Sequence, residues 1–131
     1  MPTLTLYQVD AFTDHVFGGN PAAVCILDQW LTGAEMQAIG NENNLAETAF
    51  VIPDGDQYHI RWFTPDVEVD LCGHATLASA FVLKMVLKVP QKVLKFETLS
   101  KGVLSVTQEE HQFFLNFPKF FSLFRGFGVL G

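Results

Sequence analysis

The chain has 131 residues, of which 49% are hydrophobic and 17% are charged, and its formal net charge is −6. This length and composition predict one folded domain with a substantial core rather than a disordered segment. The acidic balance and the scattered lysines and arginines argue against nucleic-acid binding, which needs a basic surface to neutralise phosphates.

Redox compartment and membrane association can also be judged from composition. Two cysteines, Cys25 and Cys72, are too few for a disulfide scaffold and favour reduced thiols. The N-terminus lacks a basic start followed by an apolar run, so no signal peptide is expected. The longest apolar run, residues 75–87, contains Lys84 and is shorter than the roughly 20 residues that span a bilayer. These features predict a soluble, cytoplasmic protein with no membrane partner.

Several stretches of the chain show the alternation, or the β-branched and aromatic residues, that are typical of strands. Glycines and prolines separate many of them, and the turn "PDGD" at residues 53–56 predicts a hairpin. In chain order, the predicted strands lie at residues 3–12, 22–27, 47–52, 57–64, 67–71, 92–98, 102–108 and 112–117.

Two helices are predicted between these strands. Thr32 and Glu35 have the spacing of a capping box, so the first helix should begin near Gly33, with Met36 on its inner side together with Ile39. The second, residues 75–87, has no polar face and must be surrounded on every side. The simplest enclosure is a curled sheet wrapped around a central, buried helix.

The C-terminal segment is rich in aromatic residues. Residues 113–131 hold seven of the 13 phenylalanines but show no clean period, and the glycines oppose a long helix. We interpret this tail as an apolar end that packs on a partner or on the domain itself, because exposed aromatics would otherwise promote aggregation.

The start of the second helix offers one set of candidate functional groups. Gly73 lets the backbone approach a ligand, and the N–H groups near Gly73 and His74 could hold a carboxylate, or they could be solvated or capped. His74 could donate a hydrogen bond or be structural. Cys72 could be a thiol of lowered pKa or a small buried hydrophobe, whereas Cys25 is expected only to pack.

Two carboxylates and one loop supply further candidates. Glu47 lies at the start of an apolar strand, where burial would make it a competent general base or acid; the alternative is a strand-end glutamate facing water. Asp10 is a weaker case of the same kind. Asn20 follows two glycines, and this loop could grip a substrate carboxylate or be merely a turn.

The combination of "DAFTDHVFGGNPAAVCIL", "NLAETAFV", "RWFTPDVEVDLCGHATLASA" and "FETLSKGVLSV" resembles the N-terminal half of phenazine-biosynthesis-like (PhzF-like) proteins, of the diaminopimelate epimerase fold superfamily. The resemblance runs in order from about residue 5 to Pro118. It implies an α+β fold, half of a diaminopimelate epimerase-like structure, in which a strongly curled, mostly antiparallel sheet surrounds a central helix. We therefore expect a half-domain at residues 1–118 and a tail at 119–131 that departs from the family.

The resemblance also implies roles for particular residues. Glu47 corresponds to the proton-transfer residue of the family's "ETAF" motif, and Asn20, Gly73 and His74 correspond to substrate contacts. Cys72 falls where the related epimerases carry a catalytic cysteine. The chain departs from the family pattern in two ways. Ala46 stands where the family often has a serine, and the second half of the pattern is absent after "LNFP".

These implications predict an isomerase- or epimerase-type enzyme half that moves a proton on a small carboxylate-bearing substrate, and the sequence does not tell whether this half is active alone. No metal or organic cofactor is expected, because the sequence shows no nucleotide-binding loop and no cluster of histidines and cysteines. The alternative is a non-catalytic interaction protein that binds a partner, or a second copy of itself as a homodimer, through the face that lacks the second half. The residues do not identify the substrate.

Overall fold

The computed structural model describes residues 4–9, 21–110 and 112–117, together with the backbone of residues 128–130. The described helices are α1 (Gly33–Asn43) and α2 (Gly73–Phe81), and α2 continues directly as a π-helical turn, Val82–Val86. The described strands, in chain order, are β1 (Leu6–Val9), β2 (Ala22–Ile26), β3 (Glu47–Asp54), β4 (Gln57–Phe63), β5 (Glu68–Val69), β6 (Val93–Glu97), β7 (Val103–Glu109), β8 (Gln112–Asn116) and β9 (Gly128–Leu130).

The described strands form one sheet in the order β1-β2-β3-β4-β6-β7-β8-β9, and β5 pairs with β4 outside this path. The pairs β2–β3 and β4–β6 are parallel, and the other pairs are antiparallel. Helix α2 contacts β2 and β3 near one end of this order and β8 near the other. The sheet therefore curls around α2, which confirms the predicted α+β half-barrel.

Alternate residues of the first strands face opposite sides of the sheet. Val24 of β2 and Val51 of β3 lie in the core around α2. Their neighbours Cys25 and Phe50 lie in a second, smaller core on the outer side. Both sides of β2 and β3 are buried, which explains why their sequences are apolar without alternation.

Helix α1 covers the outer side of the sheet, and its start is the predicted capping box. The hydroxyl of Thr32 accepts from the N–H of Glu35 at 3.1 Å, and the Glu35 carboxylate accepts from the N–H of Thr32 at 2.9 Å. Met36 is fully buried in the outer core and Ile39 packs against it, as predicted. Gly40 allows a close approach of α1 to the sheet, because a Cβ there would lie 3.2 Å from the carbonyl oxygen of Thr64.

Helix α2 is buried on all sides over residues 75–80, as the absence of a polar face predicted. The prediction that burial continues to residue 87 is wrong. The α-helix ends at Phe81, and Met85, Val86 and Leu87 are 44%, 49% and 43% exposed. The π-helical turn ends where the Lys84 ammonium donates to the carbonyls at residues 89 and 91, so the chain leaves the curl of the sheet there.

Two further strands differ from the sequence prediction. The strand predicted at residues 67–71 is reduced to the two residues of β5, which pair with the end of β4. Strand β9 was not predicted, and its backbone pairs antiparallel with β8. The remainder of the aromatic tail, residues 118–127 and 131, lies outside the described residues, so the tail boundary at residue 118 stays a prediction.

Candidate functional site

Glu47 is the first residue of β3 and lies opposite Ala22 in the parallel register with β2. Because side chains alternate along a strand, Glu47 shares the inner side of the sheet with Ala49 and Val51, which pack in the core around α2. Glu47 as a whole is half-buried, and its backbone position directs the side chain toward the enclosed helix, which favours the acid–base interpretation over a glutamate that faces water.

One oxygen of the Glu47 carboxylate is unusual among the described residues. Its Oε2 atom is shielded from solvent and has no hydrogen-bond partner in the described part of the chain. A buried acceptor without a donor costs free energy, so such atoms are rare in folded proteins and need an explanation. An acceptor kept in this state is suited to receive a proton or a donor from a bound molecule.

Helix α2 begins next to this carboxylate. Its N-cap residue, Cys72, has an extended backbone (φ −145°, ψ 103°) and makes no side-chain capping hydrogen bond. The N–H of Thr76 makes the first bond of the helix, to the Cys72 carbonyl at 3.2 Å. The preceding N–H groups of the first turn have no acceptor within the helix, and the dipole of the helix makes this end favourable for an anion.

The Cys72 thiol is close enough to Glu47 for the carboxylate charge to affect its pKa. Burial raises the pKa to about 11, the N–H of Ala75 opposes this effect, the negative charge of Glu47 adds to it, and the N–H of His74 opposes it. The thiol is therefore protonated at neutral pH, and the interpretation of Cys72 as a thiol of lowered pKa is wrong. Burial likewise raises the pKa of Cys25 to about 11, as expected of a packing residue.

The other predicted site residues differ in what the structure says of them. Gly73 is half-buried at the first position of α2, and His74 beside it is exposed. Asn20 and Asp10 lie outside the described residues. The structure thus brings Glu47, Cys72, Gly73 and His74 to one end of the inner side, and the roles of Asn20 and Asp10 stay predictions.

Sequence reasoning missed a buried polar link directly behind the helix start. The Trp62 indole on β4 donates to the Thr76 hydroxyl at 3.1 Å, and this hydroxyl donates to the Cys72 carbonyl at 2.7 Å. Both side chains are buried. A threonine one turn inside an apolar helix was the available signal, because a buried hydroxyl requires partners.

A separate pocket of about 310 Å³ lies where β5 and the turn after β6 diverge. Its lining includes Arg61, Glu68, Asp70 and Leu99 but neither Glu47 nor any residue of α2. The Arg61 guanidinium is already bound in a bidentate pair by Glu68, with both N···O distances 2.7 Å. This arginine is therefore not available to hold a substrate carboxylate.

Neither a metal site nor a membrane-spanning helix is found among the described residues. The described residues contain no group of three or more histidine, cysteine or acidic side chains arranged to hold a metal ion. Within the same part of the chain, neither helix has the length and apolar character needed to cross a bilayer.

Comparison with known proteins places this geometry in a family. An uncharacterized isomerase of Pseudomonas aeruginosa is 57% identical over 115 residues, which are 88% of this chain and 44% of that protein. Phenazine biosynthesis-like domain-containing protein 2 of Mus musculus is 45% identical over 123 residues, 88% of this chain and 42% of that protein. The chain thus spans less than half the length of these relatives.

Solved structures agree with the sequence relatives. A phenazine biosynthesis protein of the PhzF family from Enterococcus faecalis has a TM-score of 0.81 and 53% identity, over 86% of this chain and 43% of that one. A structure described as a "Predicted Epimerase" from Pseudomonas aeruginosa has a TM-score of 0.70 and 25% identity, over 86% of this chain and 42% of that one. The family model for phenazine biosynthesis-like proteins matches residues 9–119, and the chain belongs to this family of isomerase and epimerase relatives.

Proposed function

We propose that this chain supplies the proton-transfer half of an isomerase- or epimerase-type site that acts on a small carboxylate-bearing substrate. Glu47 is the acid–base group, and Gly73 and His74 hold the substrate carboxylate with Asn20. The observation that carries the proposal is the Oε2 atom of Glu47, which is shielded from solvent and has no hydrogen-bond partner among the described residues, beside a helix start that has no side-chain capping bond. The chain spans 44% of its Pseudomonas relative, so the reaction is to be tested in a full-length relative as well.

In the proposed reaction, the Glu47 carboxylate removes a proton from a carbon next to an electron-withdrawing group. The electron pair of the broken C–H bond is delocalised into that group, and protonated Glu47 returns a proton to another carbon on the same face; inversion at the same carbon would require a second acid on the opposite face. The carboxylate is thereby regenerated, and the overall reaction is redox-neutral. A shielded carboxylate suits this role because removing water strengthens electrostatic effects and limits proton loss to solvent.

The start of α2 binds the substrate in this proposal. The N–H groups of Gly73 and His74 precede the first helical hydrogen bond and point along the positive end of the helix dipole. A carboxylate held there also acidifies the neighbouring C–H group, because the fixed N–H donors stabilise negative charge as it develops. Cys72 remains a neutral thiol beside Glu47 and does not serve as a nucleophile.

Proton exchange into carbon acids tests the base assignment. In D₂O, the chain and a reconstituted full-length relative would be incubated with amino acids and with 3-butenoate, and deuterium at carbon would be followed by NMR. We expect Glu47→Gln to lower exchange at least about 100-fold, the lower range for loss of a general base. Glu42→Gln, on the exposed end of α1, is the matched control and should retain exchange. Unchanged exchange in Glu47→Gln would remove Glu47 from the mechanism.

A second candidate function is favoured by the exposed apolar surface at the end of the π-helical turn. Met85, Val86 and Leu87 are each more than two-fifths exposed, and consecutive exposed apolar residues are typical of contact surfaces. In this alternative, the chain is a non-catalytic interaction protein that associates with itself or a partner through this surface. Light scattering of the wild type and of Val86→Glu tests the interaction function. A dimer that is lost in the variant would support self-association through this surface. A wild-type monomer would contradict it.

A further inference from the structure

Thr76 makes two hydrogen bonds that join the sheet to the start of α2. Its hydroxyl accepts from the Trp62 indole at 3.1 Å and donates to the Cys72 carbonyl at 2.7 Å. The Cys72 carbonyl also accepts the backbone N–H of Thr76 at 3.2 Å. One side chain therefore fixes the N-cap carbonyl of the helix and ties it to strand β4.

The other end of this link reaches the strand that carries Glu47. Trp62 lies opposite Ala49 in the antiparallel register of β3 and β4. Ala49 is two residues from Glu47 and faces the same inner side of the sheet. The hydrogen bonds of Thr76 thus connect the first turn of α2 to the pair of strands that carries Glu47.

Ser79 provides an internal comparison one turn further along the helix. It is as fully buried as Thr76, and its hydroxyl donates to the Ala75 carbonyl at 2.7 Å. This bond lies within the helix, whereas the bonds of Thr76 connect the helix to the sheet. Loss of the Ser79 hydroxyl should therefore leave the helix start in place.

We propose that Thr76 is a positioning residue, whose hydroxyl holds the N–H groups of Gly73 and His74 in line with the Glu47 carboxylate. The inference rests on the proposed function, since these N–H groups are the proposed carboxylate site. It adds a requirement that the function alone does not contain: the buried link from Trp62 through Thr76 to Cys72 must be intact for binding.

Amide chemical shifts of the intact chain test this proposal with 3-butenoate as the probe. In the wild type, the Gly73 and His74 amide signals should move with added 3-butenoate and give a dissociation constant. Thr76→Val keeps the side-chain shape but removes both hydrogen bonds, and we expect it to raise that constant about tenfold, the effect of losing one net hydrogen bond. Thr76→Ser and the control Ser79→Ala should each remain within about twofold of the wild type.

Trp62 supplies an independent readout and a second variant. Its indole N–H signal should move and exchange faster in Thr76→Val, whereas that of half-exposed Trp30 should not. If Thr76→Val does not fold, Trp62→Phe removes the donor from the other side and should weaken 3-butenoate binding about threefold or more.

Three results would overturn the proposal in distinguishable ways. An unchanged dissociation constant in Thr76→Val, or in Trp62→Phe where Thr76→Val is unfolded, removes Thr76 as a positioning residue while the proposed function stands. Equal weakening in Ser79→Ala shows general destabilisation and has the same consequence. Wild-type Gly73 and His74 signals that do not respond to 3-butenoate remove the carboxylate site itself.

Discussion

The two helices of this chain begin in opposite ways. Helix α1 closes its own start, because Thr32 and Glu35 exchange hydrogen bonds with each other's backbone. Helix α2 follows Cys72, which makes no capping hydrogen bond with its side chain. A cap stabilises a helix by satisfying the N–H groups that a ligand would otherwise bind. Helix α1 therefore has an oxygen cap, whereas the N–H groups of Ala75 and His74 at the start of α2 face only the Cys72 thiol, a much weaker acceptor.

The surroundings of the helices differ as well. Helix α1 packs one side on the outer core, whereas α2 is enclosed by strands from both ends of the sheet order. Small residues at positions 75, 78, 79 and 80 let the strands approach α2 closely. Four substitutions test this contrast between the helices.

The largest effect is expected from added volume. Ala78→Leu places three extra carbons in a fully buried site, and we expect a loss of about 2 kcal/mol in unfolding free energy. Ala38→Leu adds the same group on the exposed side of α1 and should change stability by less than about 0.5 kcal/mol. Urea titrations measure both. Equal losses in the two variants would show that α2 is not enclosed as described.

Removing the cap of α1 should have the next largest effect. Thr32→Ala loses the hydroxyl that accepts from Glu35, and we expect a loss of about 1 kcal/mol in unfolding free energy. Binding of 3-butenoate at α2 should not change, because α1 lies on the outer side of the sheet. Weaker binding in Thr32→Ala would mean that the two helix starts are coupled.

Introducing a cap at α2 is the complementary change. Cys72→Ser supplies a preferred N-cap oxygen to the N–H groups of His74 and Ala75, so we expect 3-butenoate binding to weaken about threefold. Cys72→Ala removes the thiol that these N–H groups face and should bind no more weakly than the wild type does. Calorimetric titration separates the variants. A Cys72→Ala chain that loses both binding and proton exchange would instead give the thiol a direct role.

The smallest effect concerns pH. Hydrogen bonds from the Thr32 backbone and then its side chain lower the pKa of Glu35 below its usual value. Since the folded pKa is below the unfolded one, the stabilisation is present above the unfolded pKa and is lost as pH falls through the folded pKa. Glu35→Gln should therefore flatten the stability profile below about pH 4.5, measured by urea unfolding. An identical acid profile in wild type and variant would contradict this assignment.

The parts of the fold that follow from local rules could be predicted from sequence. The spacing of Thr32 and Glu35 predicted the start of α1, and the absence of a polar face predicted the enclosure of α2 over residues 75–80. The end of the enclosure could not be predicted, because Met85 and Leu87 are as apolar as the buried residues before them. Only the extent of the surrounding strands decides which of them is covered.

The candidate site was likewise predictable from the sequence only in part. The position of Glu47 at a strand start and the glycine at the start of α2 could be found in the sequence. The direction of the Cys72 pKa shift could not be predicted from the sequence. Burial and the Glu47 charge raise this pKa, the N–H groups at the helix start lower it, and the balance depends on distances. The bond from Trp62 to Thr76 joins residues on different elements, so neither residue's neighbours in sequence reveal it.

The two parallel strand pairs have a consequence for how the chain folds. The connection from β2 to β3 contains α1 on one side of the sheet, and that from β4 to β6 contains α2 on the other. We expect α2 to dock on β2 and β3 before strands β6 to β8 complete the curl, because these strands follow α2 in the chain and β8 packs on it. We expect amides of β3 and β4 to gain protection before those of β7 and β8 during refolding, which pulsed hydrogen exchange would measure. In this expected order, the last strands assemble on the helix that they enclose.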